Sequence, residues 1–115
     1  MHEMSLAAGV LDLVEQSAAR KGFKRVTRLR LRVGTLSGVE VESLRFALGA
    51  IAPGTCLEGA VIDIDEPPGQ AWCMKCVKLT MLKERGDACE HCGGFQLQAT
   101  AGSELSVVDL LVEDD

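Results

Sequence analysis

The residues best suited to chemistry are four cysteines. Cys73-Met-Lys-Cys76 is followed by twelve residues and then by Cys89-Glu-His-Cys92. Two Cys-x-x-Cys pairs at this spacing form two tight knuckles that aim four sulfurs at one point, as in a tetrahedral zinc site. Four soft thiolates favour Zn(II) over Mg(II) or Ca(II) and leave no open coordination position, so the expected site is structural. Two disulfides, free thiols, an iron–sulfur cluster or a single rubredoxin-like iron are the competing readings. Cys56 stands apart from both pairs and reads as a small, partly buried apolar residue.

A second donor set lies at the other end of the chain, in Met1-His2-Glu3. The Met1 α-amine, the His2 backbone nitrogen and the His2 imidazole can close adjacent small rings on one metal, with a further amide such as that of Glu3. A planar, nitrogen-rich set suits Ni(II) or Cu(II). The competing reading is a frayed terminus with no role. The other histidine, His91, sits inside the second knuckle; four cysteines already complete the tetrahedron, so it reads as an exposed neighbour. No Ser/His/Asp set and no Gly-rich phosphate loop is present. Asp63, Asp65 and Glu66 read as a solvated face. The chain is not expected to be an enzyme.

Composition narrows the partners. A net charge of −5 on 115 residues argues against a phosphate-backbone binder. The aromatics Phe23, Phe46, Trp72 and Phe95 are too scarce for a base-stacking platform. No apolar run is long enough to span a membrane, and no signal peptide is evident. These features imply a reducing cytoplasm, where clustered cysteines hold metal more often than disulfides.

The elements that must position these donors are legible in the pattern. Ser5–Lys21 reads as a helix with Ala7, Val10, Leu11, Val14 and Ala18 on one stripe and Gly22 as its stop. Val26–Val33 reads as a strand, with Leu29, Leu31 and Val33 on one face and Arg28, Arg30 and Arg32 on a solvated one. Val39–Ala52 reads as a second helix, with Ser37 at the N-cap and Glu40 reaching back in a capping box. Ala60–Asp65 reads as a second strand. Pro67-Pro68-Gly69 is a stiff entry to the cysteine module, whose 77–88 stretch is long enough for a short hairpin. Leu105–Val112 is apolar on both faces and should lie between neighbours in the first sheet. The expected fold is α+β: two helices on a three-stranded sheet, from residues 1–69 and 100–115, with a zinc-ribbon-like module inserted at 70–99.

The chain resembles the HypA/HybF family of hydrogenase nickel-incorporation proteins over essentially its whole length. The resemblance rests on Met1-His2-Glu3-Met4-Ser5, on Val33-Gly34-Thr35-Leu36-Ser37-Gly38-Val39-Glu40, on Leu44-Arg45-Phe46-Ala47, on the double Cys-x-x-Cys, and on Gly102-Ser103-Glu104-Leu105. It implies nickel on His2, structural zinc on Cys73, Cys76, Cys89 and Cys92, and an acidic residue at the place of Glu40 near the nickel. It also implies delivery to the large subunit of [NiFe] hydrogenase with a GTPase accessory protein, and in some members service to urease. Two positions depart from the family. Val77 stands where a glycine often follows the first pair, and His91 lies inside a pair where some members have flanking histidines.

The expected function is that of a cytoplasmic nickel metallochaperone with a structural zinc site. The alternative is a zinc-ribbon module that binds protein or nucleic acid without handling nickel. The 70–98 stretch has four basic and three acidic residues. A thiolate-bound zinc adds about −2, so the module is not basic.

Overall fold

The computed structural model describes residues 2–113. The order of elements is α1 (Glu3–Lys21), β1 (Arg25–Val33), α2 (Val41–Ile51), β2 (Val61–Asp65), β3 (Gly69–Cys73), β4 (Lys78–Leu82), β5 (Leu97–Ala101) and β6 (Leu105–Glu113). They form two helices and two three-stranded sheets, β2-β1-β6 and β4-β3-β5. The chain divides into two compact units. The first comprises residues through Leu31, Val39–Ile64 and Val107 onward; the second comprises Arg32–Gly38 and Asp65–Ser106.

In the first unit α1 and α2 pack against each other. Ala7, Val10 and Val14 of α1, Leu44, Ala47 and Leu48 of α2, and Val26, Leu29 and Leu31 of β1 are all buried. Their i, i+3/i+4 and i+2 spacings are the reason these segments become helix and strand. Gly22 ends α1 in the left-handed region (φ 81°) and donates its N–H to the Ala18 carbonyl, a helix stop that glycine makes without steric penalty. The arginine row faces outward as expected. Arg28 pairs with Asp63, and Arg30 lies 3.7 Å from Asp109.

Cys56 is tied to α1: its backbone N–H donates to Glu15 Oε1 at 3.1 Å. Burial, with hydrogen bonding to Glu15, pushes the Cys56 thiol up to about 12. It therefore stays protonated and donates to Glu15, whose carboxyl is held below its ordinary value by the Cys56 thiol and then the Cys56 N–H.

Three readings of the pattern need correction. α1 starts at Glu3, two residues earlier than the periodicity predicts, because the buried position of its first turn is the acid Glu3 and the apolar Met4 faces outward, so the inward stripe carries no apolar signal there. α2 starts at Val41, with Glu40 rather than Ser37 at its N-cap. The Glu40 carboxylate accepts from the Ser43 N–H at 3.1 Å, so the capping box gives way to a longer acid capping its own helix. Finally, β6 lies at the edge of its sheet and β1 takes the centre.

The second unit has its own small core of Leu36, Ala71 and Leu82, with Leu97 packed on it. β3 pairs antiparallel with β4 from Gly69↔Leu82 to Cys73↔Lys78. The hairpin thus surrounds the first knuckle instead of lying within 77–88. β5 pairs antiparallel on the other side of β3. Where chain segments enter and leave this unit, backbones cross closely: Gly34 N–H donates to Glu104 O, Thr35 N–H to Pro67 O and Leu36 N–H to Gly102 O, at 2.7–3.0 Å. A Cβ on Gly34 would lie 2.0 Å from Gly102 O, and one on Gly102 would lie 2.5 Å from Gly69 Cα. No side chain fits there.

Two outcomes follow. Gly34→Ala should destabilise the zinc-loaded protein by about 3 kcal/mol or more, the upper end for overpacking, since the obstructing atoms are backbone. Gly9→Ala, in the interior of α1 where no described atom lies within 4 Å of the new methyl, should gain about 1 kcal/mol. Denaturant melts of both variants check the pair. The Glu15 contact adds a pH signature. A lowered carboxyl stabilises fully above its free value of 4.5 and loses that contribution as pH falls through the lowered native value. Glu15→Gln should therefore melt lower than wild type at neutral pH, and the two curves should converge in acid.

Candidate metal centres

The first knuckle is formed by the turn between β3 and β4, and the second by the loop before β5. The Sγ atoms of Cys73, Cys76, Cys89 and Cys92 all lie within 4.8 Å of one another. Cys73–Cys92 and Cys76–Cys89 are each 3.8 Å apart. A disulfide is about 2.05 Å long, and all five cysteines are free. A tetrahedron of sulfurs about 2.3 Å from a central zinc has edges of about 3.8 Å. The residues present therefore fit one tetrahedral ion.

Backbone donors prepare the sulfurs for negative charge. Cys76 N–H points to Cys73 Sγ, His91 N–H to Cys89 Sγ and Gly94 N–H to Cys92 Sγ, each at 3.4 Å. The Cys92 N–H, with that of His91, pulls the Cys89 thiol down to about 6 against the effect of burial. Cys76 is pushed up to about 12, first by its hydrogen bond with the Cys92 thiol and then by burial. Four crowded sulfurs cannot all ionise without a cation between them, and a divalent ion supplies that charge. The His91 imidazole is exposed and lies 3.7 Å from Glu90 Oε1.

The two knuckles repeat one backbone path. Val77 N–H donates to Cys73 O and Gly93 N–H to Cys89 O, both at 2.8 Å. The residue after each pair is left-handed: φ is 58° at Val77 and 71° at Gly93. Val77 is the single non-glycine residue with positive φ among those described. A β-branched side chain there is strained, and nothing apolar compensates, since Val77 is 67% exposed. The departure from glycine noted in the sequence thus leaves the knuckle's path intact and adds strain to it. Left-handed backbone costs an L-residue roughly 1–2 kcal/mol, partly offset by the extra freedom glycine loses on folding. Val77→Gly should then stabilise the zinc-bound unit by about 1 kcal/mol, roughly a fivefold gain in resistance to a competing chelator. Gly93→Val should lose a similar amount.

At the other end, Met1 lies outside the described residues. His2 is the exposed N-cap of α1, and its side chain makes no capping hydrogen bond. Its carbonyl accepts the Leu6 N–H at 2.9 Å. The amides of His2 and Glu3 precede this first helical bond and have no helical acceptor to surrender. Glu3 turns inward and is only 6% exposed. Its Oε2 accepts the Glu40 N–H at 3.1 Å, while Oε1 is buried with no hydrogen-bond partner among the described residues. The Glu40 N–H lowers the Glu3 carboxyl below its ordinary value, helped by its own N–H and by His2. Glu3 and Glu40 are thus brought together at the helix start, and the Glu40 carboxylate is engaged with Ser43.

Comparison with known proteins covers essentially the whole chain. The family model described as hydrogenase/urease nickel incorporation, metallochaperone, hypA matches residues 1–112. A hydrogenase maturation factor HypA from Cupriavidus necator is 62% identical over 114 residues, covering 99% of this chain and 96% of that protein. One from Polaromonas naphthalenivorans is 58% identical over the full length of both. The fold is that of the solution structure of the nickel metallochaperone HypA from Helicobacter pylori, with a TM-score of 0.69 at 20% identity over all of both chains. The chain belongs to the HypA family of nickel-incorporation metallochaperones.

Proposed function

We propose that this protein binds one Ni(II) at its N-terminus and delivers it to the large subunit of a [NiFe] hydrogenase during maturation. The ligands are the Met1 α-amine, the backbone nitrogens of His2 and Glu3, and the His2 imidazole. The observation that carries this reading is the position of His2: exposed, at the N-cap, followed by amides with no helical acceptor. Glu3 and Glu40 stand nearby and leave a negative environment for a cation. One structural Zn(II) sits on Cys73, Cys76, Cys89 and Cys92. In this reading residues 1–69 and 100–115 form the nickel domain and 70–99 the zinc module.

Transfer is ligand exchange and needs no catalytic residue. The partners are the hydrogenase large subunit and a nickel-handling GTPase accessory protein, with urease accessory proteins as a further route. The setting is the cytoplasm. No helix among the described residues is long and apolar enough to cross a membrane. Arg28 and Arg30 on β1 are paired with aspartates, which disfavours the nucleic-acid alternative.

His2→Ala should abolish nickel binding while zinc content and folding stay unchanged. An extension before Met1 converts the amine to an amide and should weaken nickel at least a hundredfold. Acid should release nickel before zinc, because protons compete with the metal for its amine, amide and imidazole nitrogens. Calorimetric nickel titration of the three proteins at two pH values measures this. Wild-type affinity in His2→Ala would exclude the terminus as the site.

A further inference from the structure

The position of β6 is at odds with its sequence. Leu105–Glu113 reads Leu-Ser-Val-Val-Asp-Leu-Leu-Val-Glu, and strands apolar on both faces ordinarily have a neighbour on either side. Here β6 has β1 on one side only. None of residues 107–113 is buried, and Leu111 is 56% exposed. A long apolar edge is a template for another strand, and proteins that avoid such pairing protect it with lysine, proline or a bulge. β6 contains no lysine and no proline.

A groove of about 660 Å³ runs beside this edge within the first unit. It is lined by Ser17, Lys21 and Phe23 at the end of α1, and by Val107, Leu110 and Val112 of β6. An added strand would hydrogen-bond to the outer edge of β6 and lay alternate side chains into this groove.

Charge decides what that strand is. β6 carries Asp109 and Glu113 and no cation. Full-length antiparallel self-pairing is centred on Asp109 and faces it with its own copy, as does in-register parallel pairing. Like charges directly opposite are destabilising, so a second copy in either of these registers is a poor occupant. Asp109 lies 3.7 Å from Arg30 of β1 and keeps 54% of its side chain exposed, so a strand with Lys or Arg beside its apolar residues still meets opposite charge there and at Glu113. We infer that the Val107–Glu113 edge is a docking site for an extended, apolar and basic segment of a partner protein, which adds to the sheet as a fourth strand. This surface does not depend on the nickel reading.

The experiment uses the full zinc-loaded chain and two synthetic nine-residue peptides that alternate valine with lysine or valine with glutamate. The lysine peptide should slow amide exchange at alternate residues of 107–113 by tenfold or more. The glutamate peptide should have a far smaller effect, and added salt should weaken the lysine peptide. In Asp109→Lys/Glu113→Lys the preference should reverse. No slowing in 107–113, or equal slowing by both peptides, would overturn the proposal without a variant being needed. Concentration-dependent dimerisation that protects 107–113 in the absence of peptide would also overturn it, in favour of a second copy.

Discussion

The convergence of four sulfurs is the constraint on which the second unit rests. Its apolar core amounts to Leu36, Ala71 and Leu82 with Leu97 against them, and Trp72, Leu79 and Met81 are left exposed. A core of that size cannot offset the entropy of ordering three strands and two knuckles. A metal on four thiolates can, because its binding free energy becomes folding free energy. The backbone is arranged for that outcome before any ion is considered: N–H groups already point at Cys73, Cys89 and Cys92. They raise thiolate affinity for a cation by stabilising the charged form of each sulfur.

The same unit is closed at its base by glycines. Gly34, Gly69 and Gly102 come from three distant stretches of sequence, and each lacks room for a Cβ. Their contacts are backbone on backbone, except at Gly69, where the Leu36 side chain fills the space a methyl would occupy. Leu36 therefore serves twice, as a core residue and as the wedge against Gly69. This explains why a segment as early as 32–38 belongs with a unit otherwise built from 65–106.

Much of this was legible in the sequence. The cysteine spacing gave the cluster of four sulfurs, apolar period gave both helices, and alternation gave β1, β2 and β6. What was not legible depended on tertiary neighbours. Gly34 and Gly102 could be noticed as a pattern, but the reason for glycine is a crossing of distant backbones. Ser37 and Glu40 satisfied the pattern of a capping box, yet Glu40 could cap α2 alone, and the helix start moved to suit it. Alternation in β6 showed that both faces are apolar; it could not say whether the second neighbour belongs to this chain. β3 and β5 are short, and residues such as Gln70, Trp72, Gln98 and Thr100 alternate without a clear apolar face. The donors proposed for nickel could be named from residue types, whereas the inward turn of Glu3 onto the Glu40 N–H could not be foreseen.

On the proposed reading two metals share one small chain and must be kept apart, and donor chemistry does this. The four-thiolate cage is soft, tetrahedral and closed, which suits an ion with no geometric preference of its own. Amine, amide and imidazole are harder and favour a planar arrangement, which a tetrahedral thiolate cage cannot offer. On the proposed reading, zinc is held by ligands fixed on two knuckles and nickel by ligands at a chain end. The first arrangement resists exchange because all four ligands are locked in folded backbone. The second permits it, because the donors can leave one at a time and protons can take their places. The same planar geometry accepts Cu(II), which binds such nitrogen sets more tightly than Ni(II). Selection of nickel over copper must then come from metal supply and from the partner that receives the ion, which makes the docking surfaces of the first unit as much a part of specificity as its ligands.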